Sequence, residues 1–133
     1  MEWARKRKDV DAVALVGSWA RGAAREDSDI DLVVITSAQS LYEAEADWAR
    51  PLGVTAFIGT KSWGRLTERR AVTASGLEVE FGITTPAWAA TDPLDPGTRR
   101  VVNDGIRIVY DPKGMLAALV RISPSAGCAG TSP

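Results

Sequence analysis

Leu15-Val-Gly-Ser-Trp-Ala-Arg-Gly-Ala-Ala-Arg-Glu-Asp-Ser-Asp-Ile-Asp-Leu-Val-Val34 is the stretch on which the fold of this 133-residue chain turns. It opens on the end of an apolar run, Ala12-Val-Ala-Leu-Val16, which reads as a buried strand stopped at Gly17. Gly17 and Ser18 then begin a helical turn, where glycine lets the backbone approach a ligand and free amides attract phosphate. The stretch closes on a second strand, residues 29–35, rich in β-branched side chains. Asp29 and Asp31 lie two apart on it, so both carboxylates point to one face. The rest of that strand is apolar. Two carboxylates at the edge of a core repel each other, which costs free energy unless a cation lies between them. With hard oxygen ligands the cation expected is Mg²⁺, which takes one or two carboxylates plus substrate phosphates.

A third acid comes from Leu77-Glu-Val-Glu-Phe-Gly-Ile83. Residues 77, 79, 81 and 83 share an apolar face, and Glu78 and Glu80 share the other. If this strand neighbours the Asp29/Asp31 strand, the acids converge. Such a cluster suits in-line phosphoryl or nucleotidyl transfer, with a carboxylate taking the acceptor's proton. The plain alternatives are a solvated strand start for the aspartates and the wet face of an ordinary hairpin for the glutamates.

Gly17-Ser18, ten intervening residues and then Asp29-x-Asp31 resembles the signature of the nucleotidyltransferase superfamily that includes DNA polymerase β. The form Gly-Ser-x-Ala-Arg-Gly…Ser-Asp-Ile-Asp-Leu is similar to the minimal nucleotidyltransferases, among them the antitoxins paired with HEPN-type toxins and the aminoglycoside adenylyltransferases. The resemblance is dense over residues 12–35. Leu77-Glu-Val-Glu and the later Pro86-Ala-Trp extend it to about residue 90. It implies a single α/β (α+β) domain with a mixed, twisted sheet and flanking helices, mainly on one side. It also implies roles. Gly17 and Ser18 would bind the phosphates of ATP or another nucleoside triphosphate, with Arg21 and Arg25 as further phosphate contacts. Asp29 and Asp31 would hold Mg²⁺. Glu80 or Glu78 would be the third acid, as metal ligand or base; the Leu-Glu-Val spelling favours Glu78, and the deeper position favours Glu80, which is preferred. The acceptor implied is a hydroxyl of a protein, such as a HEPN-type toxin, or of an aminoglycoside-like small molecule. About twenty residues follow the last expected strand, so the helical C-terminal domain of the larger drug-modifying relatives is expected to be missing. A partner chain or a second copy would then complete the acceptor site. A second reading is a non-catalytic module on the same fold that senses a nucleotide or caps a partner.

Outward from this core, residues 2–9 suit a short polar helix. Residues 39–49 carry Leu41, Ala44 and Trp48 at amphipathic helical spacing, with a stop at Pro51. Residues 54–58 suit a short strand, and Lys61-Ser-Trp-Gly64 a turn. Ser75-Gly76 between alternating segments is a two-residue hairpin signal. Residues 86–90 suit a helical turn, 92–97 a loop, 98–104 a helix capped by Gly105, and 106–110 a last strand. Asp111 is then expected to cap a helix whose first position is Pro112. Arg69-Arg70 and Arg99-Arg100 read as solvated faces. Of five tryptophans most read as packing, with Trp19 a candidate to border the nucleotide and Trp63 to line an acceptor cleft.

Composition bounds the rest. Hydrophobic residues make up 45% and charged residues 25%, ordinary for a globular domain and unlike a disordered or disulfide-built chain. A net charge of −1 argues against a strongly basic nucleic-acid binder. No apolar run approaches the length of a membrane span, and the charged N-terminus is unlike a secretion signal. The chain has no histidine, which removes Ser-His-Asp and Cys-His catalysis and His-ligated zinc. Its one cysteine, Cys128, has no internal disulfide partner, in keeping with a reducing, cytoplasmic setting. The domain is expected over 1–122, with 123–133 a disordered tail.

Overall fold

The apolar runs of the first third pair with each other. β1 (Val10–Val16) lies antiparallel to β2 (Ile30–Thr36), with Ala14 opposite Val33 and Val16 opposite Asp31. The computed structural model describes residues 2–25, 28–91 and 94–122. Around this pair stand β3 (Val54–Trp63), β4 (Leu66–Thr73), β5 (Glu78–Thr84) and β6 (Ile106–Tyr110). The six strands are ordered β3-β4-β5-β2-β1-β6. β2 and β5 run parallel and the other neighbours antiparallel, so the sheet is mixed, as expected. The helices are α1 (Glu2–Arg5), α2 (Gly17–Arg21), α3 (Gln39–Ala44), α4 (Pro96–Asp104) and α5 (Met115–Arg121), with 3₁₀ turns at Asp47–Leu52 and Pro86–Ala89. Among the described residues no helix is long and apolar enough to cross a membrane. The expected tail 123–133, with Cys128, lies outside the described residues.

The helices cover both faces of the sheet, not mainly one. β1 and β2 are apolar on both sides, and each side needs cover. On one face Val13, Val34, Phe81 and Ile83 pack with Tyr42 and Trp48. On the other, Ala12, Ala14, Val33 and Ile35 pack with Trp88, Val102, Leu116 and Leu119. Trp48 centres the first core: its ring lies 5.0 Å from Phe81, 5.1 Å from Tyr42 and 5.6 Å from Phe57.

Several local expectations are corrected. The N-terminal helix is only α1. The helix expected over 39–49 breaks after Ala44, because side chains take over its terminal carbonyls. Arg69 Nη1 donates to the carbonyls of Tyr42 (2.7 Å) and Glu45 (2.5 Å), and Trp48 Nε1 donates to Glu45 O (2.9 Å). Pro51 sits inside the 3₁₀ turn that follows. Tyr42, not Leu41, is the inward residue, and Leu41 is exposed. β3 runs on through Lys61-Ser-Trp63, and only Gly64-Arg65 turn, with Gly64 at φ +68° in the position that primed hairpin turns give to glycine. α5 starts after Gly114, yet Asp111 still serves it: its carboxylate accepts from the amides of Leu116 (3.1 Å) and Ala117 (2.9 Å).

The β4–β5 hairpin closes on three residues, Ala74-Ser75-Gly76, rather than two. Gly76 N donates to Thr73 O, Thr73 N donates to Leu77 O, and Gly76 sits at φ +89°. This is the turn-plus-bulge closure. It sets Val72 opposite Glu78 and Arg70 opposite Glu80.

Candidate functional site

The sheet carries its acids in one row. β2 and β5 are register partners at Asp31 and Glu80, and β5 and β4 at Glu80 and Arg70. Register partners project to the same face, so Asp31, Glu80 and Arg70 stand side by side across three strands. Asp29, just before β2, and Glu78, at the start of β5, flank the row. Glu68 lies on the same face of β4, two residues from Arg70.

Arg70 ties the row together. Its Nη1 donates to Asp29 Oδ2 (3.1 Å) and Glu78 Oε1 (2.6 Å), and its Nη2 donates to Glu80 Oε1. The bonds to Glu78 and Asp29, with the charge of Glu80, hold the guanidinium firmly in its charged form. The expectation that Arg69-Arg70 is a solvated face is overturned for both residues. Arg69 is buried against Phe57, with its guanidinium carbon 3.8 Å from the ring centroid, and Arg70 joins the acid row. Arg70 is the site residue that sequence reading misses. Its signal lies in the hairpin register, which the Ser75-Gly76 spelling misreads by one residue.

Asp31 is the strained member. Its carboxyl is pushed up from 3.8 to about 7, first by burial, then by a hydrogen bond with Glu80 and by repulsion from Glu80, Asp29 and Glu68. Gly17 presses on it from above. β1 ends at Val16, Gly17 turns at φ +73°, and a Cβ there would overlap the Asp31 carboxylate. Gly17 is thus required both by its backbone angle and by the carboxylate beside it. Ser18 follows in the first turn of α2. Trp19 Nε1 donates to Ser28 O (3.1 Å), and the Arg25 amide donates to Ser28 Oγ (2.8 Å), which ties Ser28 down just before β2. Arg21 and Arg25 are exposed and form no ion pair among the described residues.

The two glutamates differ. Glu80 is the register partner of Asp31, with its side chain 19% exposed. Glu78 stands nearer the hairpin end, 36% exposed, and meets Arg70. The geometry therefore sets Glu80, not Glu78, beside Asp31. A cavity of about 290 Å³ opens next to Arg70, lined by Ile58, Gly59, Thr60, Lys61 and Glu68. Trp63 is exposed beyond it, with Lys61 Nζ 4.4 Å from its ring centroid.

The donor set fits a hard divalent ion in kind: carboxylate oxygens, mutually repelling and partly open to solvent. As they stand, among the described residues, no three acids converge on one point that such an ion would fill. Arg70 is bonded to two of the acids, Asp29 and Glu80.

The family model described as nucleotidyltransferase domain matches residues 2–61. The match supports the nucleotidyltransferase superfamily. It spans Gly17, Ser18, Asp29 and Asp31 and ends within β3, before Arg70 and Glu80. Comparison with curated proteins finds no match. Among solved structures the chain is similar to a cytoplasmic RNA terminal U-transferase, at TM-score 0.46 and 14% identity over 75% of this chain and 27% of that one. It is also similar to the poly(U) polymerase Cid1, at TM-score 0.42 and 16% identity over 75% of this chain and 34% of that one. The chain spans only 27% and 34% of those two proteins.

Proposed function

We propose that this chain is a Mg²⁺-dependent nucleotidyltransferase domain that moves a nucleoside monophosphate, AMP from ATP, to a hydroxyl of its acceptor. The observation that carries the reading is the register of β2 against β5, which sets Glu80 beside Asp31 under the Gly17 turn. In this reading Asp29, Asp31 and Glu80 hold the metal. The ion supplies charge neutralisation at the triphosphate and at the leaving pyrophosphate. Gly17 leaves its backbone open to the phosphates, with Ser18 donating beside it, and Arg21 and Arg25 reach phosphate oxygens from the rim. The acceptor oxygen forms a bond to the α-phosphorus, the bond from α-phosphorus to the bridging oxygen breaks, and pyrophosphate departs. Glu80 takes the hydroxyl proton. The acceptor is a protein of the HEPN-toxin kind, which makes the chain a toxin–antitoxin component, or an aminoglycoside-like small molecule. The cavity beside Arg70 is where the acceptor would lie. A partner or a second copy would close that side in the cytoplasm.

One observation favours the other reading, a nucleotide-sensing or partner-capping module: Arg70 already supplies a positive charge among the acids. Calorimetric titration of ATP separates the two, with Mg²⁺ and then with EDTA, on the natural chain and on Asp29→Asn/Asp31→Asn. Catalysis requires Mg²⁺-dependent binding that the double variant loses, together with pyrophosphate release when acceptor is added. A module binds without metal dependence or without turnover.

A further inference from the structure

One guanidinium holds three carboxylates. Arg70 bonds Asp29 and Glu78 through Nη1 and Glu80 through Nη2, on the face where Asp31 also stands. Two of those partners, Asp29 and Glu80, are the acids that the proposed function gives to the metal. Arginine suits this task because its planar fork reaches several carboxylates at once and stays charged at any working pH. The cluster is not fully neutralised by it. Among the described residues Arg70 is the one cation bonded to Asp29, Glu78 and Glu80, while Lys61 stands opposite Glu68 on β3, so the row still attracts positive charge.

Arg70 also has somewhere to go. Its side chain is 37% exposed and borders the cavity of about 290 Å³ over the paired strands β3 and β4. Glu68 lines the same cavity on the same strand face and makes no ion pair among the described residues. A guanidinium rotating away from β5 would meet that carboxylate.

We infer that Arg70 is an exchangeable counter-ion: it neutralises Asp29, Glu78 and Glu80 in the metal-free chain, competes with a divalent cation for them, and yields to that cation by moving toward Glu68. This rests on the reading that the acid row holds a divalent ion, and it adds a device that keeps the row folded before the ion arrives. It also accounts for why no three acids converge as they stand: Asp29, Glu78 and Glu80 are bonded to the guanidinium instead of meeting at one point.

The test uses Mn²⁺ alone as probe, with free Mn²⁺ followed by electron paramagnetic resonance, on the full chain. The natural chain is compared with Arg70→Gln, Arg70→Lys and Asp31→Asn, and each is melted in EDTA and in Mn²⁺. Arg70→Gln is expected to bind Mn²⁺ on the order of tenfold more tightly, because a competing charge at contact distance is gone. It is also expected to melt lower than the natural chain in EDTA and to gain more from Mn²⁺. Arg70→Lys, a compact charge without the fork, should fall between, and it carries the test if Arg70→Gln does not fold. Equal or weaker Mn²⁺ binding by the folded Arg70 variants overturns the inference. If the natural chain then still binds Mn²⁺ and Asp31→Asn does not, the metal reading survives alone. If none of the four binds Mn²⁺, the metal reading fails and the inference falls with it.

Discussion

Asp31 and Glu80 are register partners on two parallel strands, so their carboxyls stand side by side on one face of the sheet. Burial first, and then a neighbouring carboxyl, favour the protonated form at a pH where an isolated aspartate is ionised. The Asp31 carboxyl is accordingly pushed up from 3.8 to about 7 in the folded chain, first by burial and then by Glu80 beside it. The sign follows from linkage. The folded state holds a proton that the unfolded state gives up, so the stabilisation is full below about pH 4 and is lost as pH rises through about 7. In EDTA the urea midpoint of the natural chain is expected to fall between those values. The fall should be smaller in Asp31→Asn, which has no proton to lose. A midpoint that rises over this window, or falls equally in both chains, counts against the raised Asp31 carboxyl.

Gly17 and Asp31 are bound together by space. An added Cβ at 17 would overlap the aspartate carboxylate, and φ +73° is itself costly for any other residue. Gly17→Ala is therefore expected to destabilise the chain by roughly 1–3 kcal/mol, the cost of a strained backbone plus the displaced carboxylate. It should also abolish Mg²⁺-dependent ATP binding. Urea denaturation and calorimetry read the two effects separately, and an unchanged calorimetric trace would remove Gly17 from the site.

The same pair shows what the sequence makes legible. The strand ending at Gly17, the strand carrying Asp31 and the fourteen-residue step between them are local features, and local periodicity finds them. So does the alternation that sends Glu78 and Glu80 to one side. The helix cover on both faces is hidden because Val13 and Ala14 are both apolar, and a continuous apolar run names no preferred face. Arg70 is hidden for a different reason. A strand's side chains alternate, so one residue more or less in a turn decides which of Arg69 and Arg70 joins the acids. A two-residue Ser75-Gly76 closure would pair Arg70 with Phe81, whereas the three-residue closure pairs it with Glu80. Arg69 then falls on the opposite face, among carbonyls left free where α3 ends.

That placement makes Arg69 a structural residue with a measurable cost. It is buried, donates to Tyr42 O and Glu45 O, and stacks on Phe57. Burial lowers its pKa without giving it a carboxylate in direct contact. Arg69→Met keeps much of the apolar volume but removes the donor to Tyr42 O and leaves Glu45 O with only Trp48 Nε1, a loss of roughly 1–3 kcal/mol. Urea denaturation checks it. ATP binding by the folded fraction should stay unchanged, since Arg69 points away from the acid row.

The two glutamates of β5 give the sharpest division of labour. Glu80 is flanked on both sides, by Asp31 on β2 and Arg70 on β4, and is the less exposed of the pair. Glu78 meets only Arg70 among these groups and sits near the hairpin end. If Glu80 takes the acceptor's proton and shares the metal, Glu80→Gln should lower the rate of pyrophosphate release by roughly 10²–10⁴-fold, the usual span for a positioned acid–base group. The amide keeps the size of the side chain, so the fold should hold, and a circular dichroism spectrum would verify that. Glu78→Gln removes one of three partners of Arg70 and is expected to change the rate by only about threefold, within a surface ion pair's usual worth. Rates of pyrophosphate release at saturating ATP separate the two. A larger loss in Glu78→Gln than in Glu80→Gln would move the third acid to the hairpin end and break the link between the strand register and the chemistry.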